Sequence, residues 1–235
     1  MSRPFEIHVP PEQAYRRRGF FAIELLDPVT LDRVSTGVVV VADGLRAKLS
    51  VNSSGMFVWL NDGKEDITRL RKISIDPLTL PYDSIELLPG QLNLPPLPTP
   101  VTTIELRPRV NYPFSAGTTA ARGTLIEDWP IPPPPRMPVP NADVHLSWLD
   151  DDGTTWRDAP TISRTNARGD FVAILRLAAA QVPHLDANGA LTVRLCVRRE
   201  GSTERQSADF KLPQGRVADP STLNTLTFVW DELQP

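Results

Sequence analysis

Apolar and polar positions alternate with a period of two through much of this chain. Phe21, Ile23 and Leu25 are interleaved with Ala22 and Glu24, and Val144, Leu146 and Trp148 with Asp143, His145 and Ser147. That period belongs to a strand with one face in a core and one in water. Val38 to Val41 is instead a continuous β-branched run, which predicts a strand buried on both faces. Turn residues punctuate the pattern at Asp27-Pro28, Asp43-Gly44, Asn61-Asp62-Gly63 and Asp186-Ala-Asn-Gly189. No segment sustains a helical period. Short strands at close spacing predict an all-β fold of sandwich type.

The pattern Asn-x-x-Gly-x-Phe-Val occurs twice, from Asn52 and from Asn166, 114 residues apart. In each copy a polar turn opens into an alternating strand, which predicts two tandem Ig-like or prealbumin-like β-sandwich domains. Gly55 and Gly169 are expected to end tight turns at equivalent positions, in turns whose residues tolerate positive φ, and Phe57 and Phe171 to sit in the two cores. Thr161 to Thr165 and Gly169 to Leu177 are expected to form the second copy's hairpin. The boundaries follow: an N-terminal arm at 1–18, a first module at 19–88, a linker at 89–100 and a second module at 101–235. The linker rests on Leu88 to Pro100, where five of thirteen residues are proline, the composition of a semi-rigid extended spacer. Trp129 to Pro140 has seven prolines in twelve residues and is expected to be a long surface loop, not a strand.

Composition adds bounds. Among 235 residues, 40% are hydrophobic, enough for two cores, and 25 are proline, about twice the usual share. Net charge is −3, which gives no whole-chain reason to expect nucleic acid or an anionic membrane as partner. Arg16-Arg17-Arg18 reads as a solvated basic run. The single cysteine, Cys196, has no internal disulfide partner and alternates with Arg194 and Arg198, as a half-buried strand residue would. Met1 to Val9 has no secretory apolar region, and no apolar run is longer than that from Val38 to Ala42, so synthesis in the cytoplasm without membrane insertion is expected.

Candidate chemistry is sparse. His8, His145 and His184 are scattered and form no metal-ligand spacing, and His145 reads as a surface histidine. There is no Gly-x-Ser-x-Gly elbow and no Gly-rich phosphate loop. Asp150-Asp151-Asp152 lacks the spacing of a calcium loop and reads as a hairpin tip. Trp148 is in phase with the core, whereas Trp129 and Trp156 are candidates for exposure. The Pro-rich loop carries Trp129, Ile131, Arg136 and Met137, residue types enriched at interfaces. With Trp156, these four are the expected partner-binding residues. No catalytic residue, metal ligand or cofactor is assigned.

Three pieces in order carry a family resemblance: Gly123-Thr-Leu-Ile-Glu-Asp128, Val139-Pro-Asn-Ala-Asp-Val-His-Leu146 and Thr165-Asn-Ala-Arg-Gly-Asp-Phe-Val-Ala-Ile174. Together they resemble a carboxypeptidase-regulatory-like domain, the transthyretin-like (prealbumin-like) β-sandwich, over residues 123–177. A fainter version runs through residues 19–88. The resemblance implies a non-catalytic accessory module. The expected function is therefore a structural or adaptor protein that holds a partner protein in a larger assembly. A phage-tail-like or contractile injection particle, released from the cell, is one such assembly. The alternative is a carbohydrate-binding or adhesive module that takes a glycan through Trp129, Trp156 and Tyr112.

Overall fold

The structure is a computed structural model that describes residues 18–61, 66–98, 100–128, 136–219 and 226–235. The expected N-terminal arm lies outside these residues except for Arg18. The described residues form an all-β, sandwich-like fold with two separate hydrophobic cores. The first core is enclosed by β1 (Arg18–Leu26), β2 (Val39–Asp43), β3 (Lys48–Val51), β4 (Phe57–Asn61), β5 (Lys72–Asp76), β6 (Ile85–Leu87) and β7 (Val101–Glu105). They make two sheets, ordered β3-β4-β1-β7 and β2-β5-β6. The second core lies among β8 (Thr119–Glu127), β9 (Met137–Pro138), β10 (Asp143–Leu149), β11 (Trp156–Asp158), β12 (Ser163–Arg164) and β13 (Asp170–Leu175). It is completed by β14 (Ala190–Arg198), β15 (Arg205–Gln206), β16 (Phe210–Pro213), β17 (Val217–Ala218) and β18 (Thr227–Val229). One sheet centres on β8, flanked by β13 and by β9, β17 and β18, and the other on β10 and β14.

The boundary between the modules differs from the one expected at residue 101. β7 runs parallel to β1, from Ala22 opposite Val101 to Leu26 opposite Glu105. Leu106 and Tyr112 are buried in the first core, and Phe114 packs against it. The segment 89–100 is therefore not a spacer between modules. It is the last leg of the long connection between the parallel partners β1 and β7, leading from β6 in one sheet to β7 in the other. Leu92 is buried in the first core and Leu94 packs on it. Asn93 pins the crossover by donating its amide to Thr102 Oγ1 and its side chain to the Val101 carbonyl, each at 2.7 Å.

The Val38 to Val41 run also departs from expectation. Val40 is buried, but Val39 and Val41 are 46% and 52% exposed, because β2 is an edge strand with one face in the core. Alternation is imposed there by position in the sheet, although the side chains themselves do not alternate in polarity.

The repeated motif is a turn before it is a domain. Asn52 Oδ1 accepts the amides of Ser54 and Met56, and Asn166 Oδ1 accepts those of Arg168 and Asp170. Asp186 closes the same turn onto Asn188 and Ala190, a third copy within the second module. The Asn52 turn joins β3 to β4 in one sheet, as expected of a hairpin. The Asn166 turn does not, because β12 pairs with β10 and β13 with β8, so the chain changes sheets across it.

Gly55 and Gly169 both have positive φ, +81° and +75°. Their surroundings differ. A Cβ on Gly169 would meet the Leu125 carbonyl oxygen at 2.2 Å, while one on Gly55 would meet Ser35 at an ordinary 3.4 Å. Gly55→Ala is expected to cost about 1–2 kcal/mol for the left-handed backbone. Gly169→Ala should cost more, because β8 must also give way. Equal losses in denaturant titrations would contradict that reading.

The loop that closes the first module is held by a buried carboxylate. Asp27 Oδ1 accepts the amides of Val29 and Thr30 at 2.8 Å each. Its Oδ2 accepts the hydroxyls of Tyr82 at 2.7 Å and Tyr112 at 2.6 Å. Burial pushes the Asp27 carboxyl up, but these four donors outweigh it and hold the group below the usual range. Burial first, and then the bond to Asp27, pushes both tyrosines above theirs.

The signs for stability are opposite. A depressed carboxyl contributes stability that is present above its unfolded value of about 3.9 and is lost as pH falls through the folded one. A raised phenol contributes stability that is present below about 10 and is lost as pH rises through the folded value. A melting temperature that falls off on both sides of this window is expected. The alkaline fall should be weaker in Tyr82→Phe, and an identical alkaline limb in that variant would contradict the assignment.

Candidate functional site

The expected partner-binding residues divide three ways. Trp129 and Ile131 lie outside the described residues. Arg136 and Met137 are exposed. Met137 is not free loop, as its segment was expected to be: it pairs with Glu127, and Pro138 with Ile126, so β9 pins the far end of the loop to β8. Val139 immediately beyond is fully buried, because it fills the second core beside Leu125. The Pro-rich segment therefore leaves and rejoins one end of β8.

Trp156 lies on the other sheet, in β11 against β10, so it is not brought onto the Met137 strand. It is half-buried, and the Arg194 guanidinium sits 3.7 Å from its ring centroid. Asp209 holds that guanidinium at 2.6 Å. One face of the indole is thereby capped by a cation, leaving no open stacking platform there. Trp148 is core, as its phase predicted. Tyr112, the other aromatic of the glycan alternative, is buried on Asp27 rather than displayed.

The seam between the two modules is a feature that the sequence did not reveal. Arg176 of the second module reaches across it, donating to the Pro28 carbonyl at 3.0 Å and to Glu105 at 2.6 Å. Arg107 approaches Asp143 at 3.3 Å, and Arg122 donates to the Tyr112 carbonyl at 2.7 Å. Beside these contacts is an open cleft of about 650 Å³. The first module contributes Asp83, Ser84 and Arg109 to it, and the second Arg164, Arg168 and Asp170. Its charges are largely paired: Arg109 with Asp83 at 3.3 Å, Arg168 with Asp170 at 3.6 Å, and Arg164 with Asp143 at 3.2 Å. Burial raises the Asp83 carboxyl, against the opposing pull of Arg109, Arg164 and Arg107. No histidine is among the described lining residues. Such a wall of alternating charges suits a polar protein surface better than a small apolar ligand.

The acidic tip spends its oxygens on its own chain. Asp152 accepts the Thr155 hydroxyl and then the amides of Thr155 and Thr154, which together hold its carboxyl well below the usual range, and Asp150 pairs with Arg157. Among the described residues, one set of side chains converges in a way that suits a metal: His145, Asp158 and Cys196. Sequence reasoning missed it because cross-strand neighbours leave no spacing signal. Cys196, expected half-buried, is completely buried beneath its neighbours.

No protein-family model matches the chain, and no curated protein matches it. A crystal structure of a DUF3823 family protein from Bacteroides ovatus is 13% identical to it, with a TM-score of 0.21. The match covers 84% of this chain and 98% of that one. A likeness at this level carries no argument about function.

Proposed function

We propose that this protein is a non-catalytic adaptor that holds a partner protein in a larger assembly. One observation carries the reading. The two modules are not joined by a free spacer but are tied across the seam by Arg176, Arg107 and Arg122. Two cores tied in this way act as one stiff body, which presents its loops at fixed spacing and loses less entropy on binding than a hinged pair. The resemblance of the second module to carboxypeptidase-regulatory-like domains supports an accessory role. A particle of phage-tail or contractile injection type is an assembly in which such a body fits.

The contact surface is the Pro-rich segment rooted at β9, together with the flanking Arg136 and Met137. Prolines restrict the chain before binding, so ordering it on a partner costs less than ordering a flexible loop of equal length. The test is to replace residues 129–136 by a short Gly-Ser turn, keeping Met137, Pro138 and the buried Val139. The shortened protein should melt as the parent does and lose its partner. Retention of the partner at parental affinity would place the contact elsewhere, and the seam cleft would be the next surface to alter.

A further inference from the structure

On the outer face of the β11-β10-β14 sheet, three side chains from three adjacent strands meet. His145 in β10 stands directly opposite Cys196 in β14. Asp158 in β11 stands opposite Ser147, the next residue of β10 on the same face as His145. One ligand atom from each lies within 4.8 Å of the other two, and His145 Nε2 is 3.7 Å from an Asp158 carboxylate oxygen. We propose that His145, Asp158 and Cys196 form a binding site for a divalent transition metal, with zinc the best match. This site stands independently of the adaptor reading.

The geometry is close to what the metal needs. Zinc binds thiolate sulfur at about 2.3 Å and imidazole nitrogen or carboxylate oxygen at about 2.0–2.2 Å, which sets tetrahedral ligand atoms roughly 3.3–3.6 Å apart. The His145–Asp158 separation of 3.7 Å nearly meets that. The remaining closure is up to about 1 Å, within reach of side-chain rotation on backbones already fixed by the ladder. Sulfur, nitrogen and oxygen together select a borderline metal and exclude calcium or magnesium. Three protein ligands leave a fourth position for water.

The surroundings offer negative charge: Asp158 is one of the three groups, and Glu204 stands near enough to act on the sulfur. The neighbouring arginines are engaged elsewhere: Arg194 is committed to Asp209 and Trp156, and Arg198 approaches Asp143 at 3.6 Å. On binding, sulfur, nitrogen and oxygen bonds to the metal replace bonds to its water, and the thiol proton passes to solvent.

The test uses the full chain titrated with Co²⁺ and then with Zn²⁺. One Co²⁺ per chain should bind with a thiolate-to-cobalt charge-transfer band in the near ultraviolet, and one equivalent of Zn²⁺ should remove the band. Cys196→Ser should abolish it. Asp158 is exposed, so Asp158→Asn should fold normally, as circular dichroism would verify, and should weaken zinc affinity by about tenfold to a hundredfold or more. His145→Gln should do the same. Absence of the charge-transfer band in the parent, or unchanged zinc affinity in Asp158→Asn and His145→Gln, would overturn the proposal.

Discussion

Asp27→Ala should destabilise the protein by about 3–5 kcal/mol, because several buried donors lose their common acceptor at once. The carboxylate accepts four hydrogen bonds and has no cationic partner among the described residues, so its loss orphans the Tyr82 and Tyr112 hydroxyls and two turn amides together. Each orphaned group costs about 1–3 kcal/mol, and the terms do not add because they share one site. Tyr82→Phe or Tyr112→Phe alone removes one donor and should cost about 1–2 kcal/mol. The damage is not confined to the first core. Tyr112 belongs to the connection that leads into β8, and its carbonyl accepts a bond from Arg122 of the second module. Urea titration of the three variants checks the ranking. A loss under about 1 kcal/mol for Asp27→Ala would mean that water replaces the carboxylate at no cost.

The second large effect is Phe171→Ala, expected to cost about 3–5 kcal/mol. The ring is fully buried and lies over Gly123, its cross-strand partner, where a Cβ would come within 2.6 Å of the ring. Phe228 flanks it at 6.0 Å between centroids and in turn meets Phe210 at 5.6 Å. Truncation leaves a cavity at the centre of three strands, and the glycine beneath offers no side chain to fill it. Domains of this size are stable by about 5–15 kcal/mol, so the second core would become marginal. Thermal melting is the direct check, and an unchanged transition would show that Phe171 does not fill the core as described.

The strands with clean alternation were legible in the sequence. Val144, Leu146 and Trp148 face the core, and both motif phenylalanines, Phe57 and Phe171, are buried. The motif glycines have the positive φ that their turns require. Pairing was not legible. Val101 to Glu105 alternates weakly and follows a Pro-rich stretch, so nothing local assigns it to the first module. Its partner β1 lies about eighty residues upstream, and a parallel partner leaves no turn between the strands. The exposed faces of Val39 and Val41 were hidden because an edge strand looks like a central one when all its residues are apolar. The His145, Asp158 and Cys196 cluster was hidden for a related reason. Each residue is ordinary alone, and only the register of three strands brings them together.

The proposed adaptor function is tested most directly on the protein in its own cells. A tagged full-length chain would be purified without denaturant, sized by gel filtration and its companions quantified by mass spectrometry. An adaptor should elute well above the 26.0 kDa of the chain, with one companion protein at fixed stoichiometry. That companion should be released when residues 129–136 are replaced. A free monomer with no stoichiometric companion would contradict the proposed function.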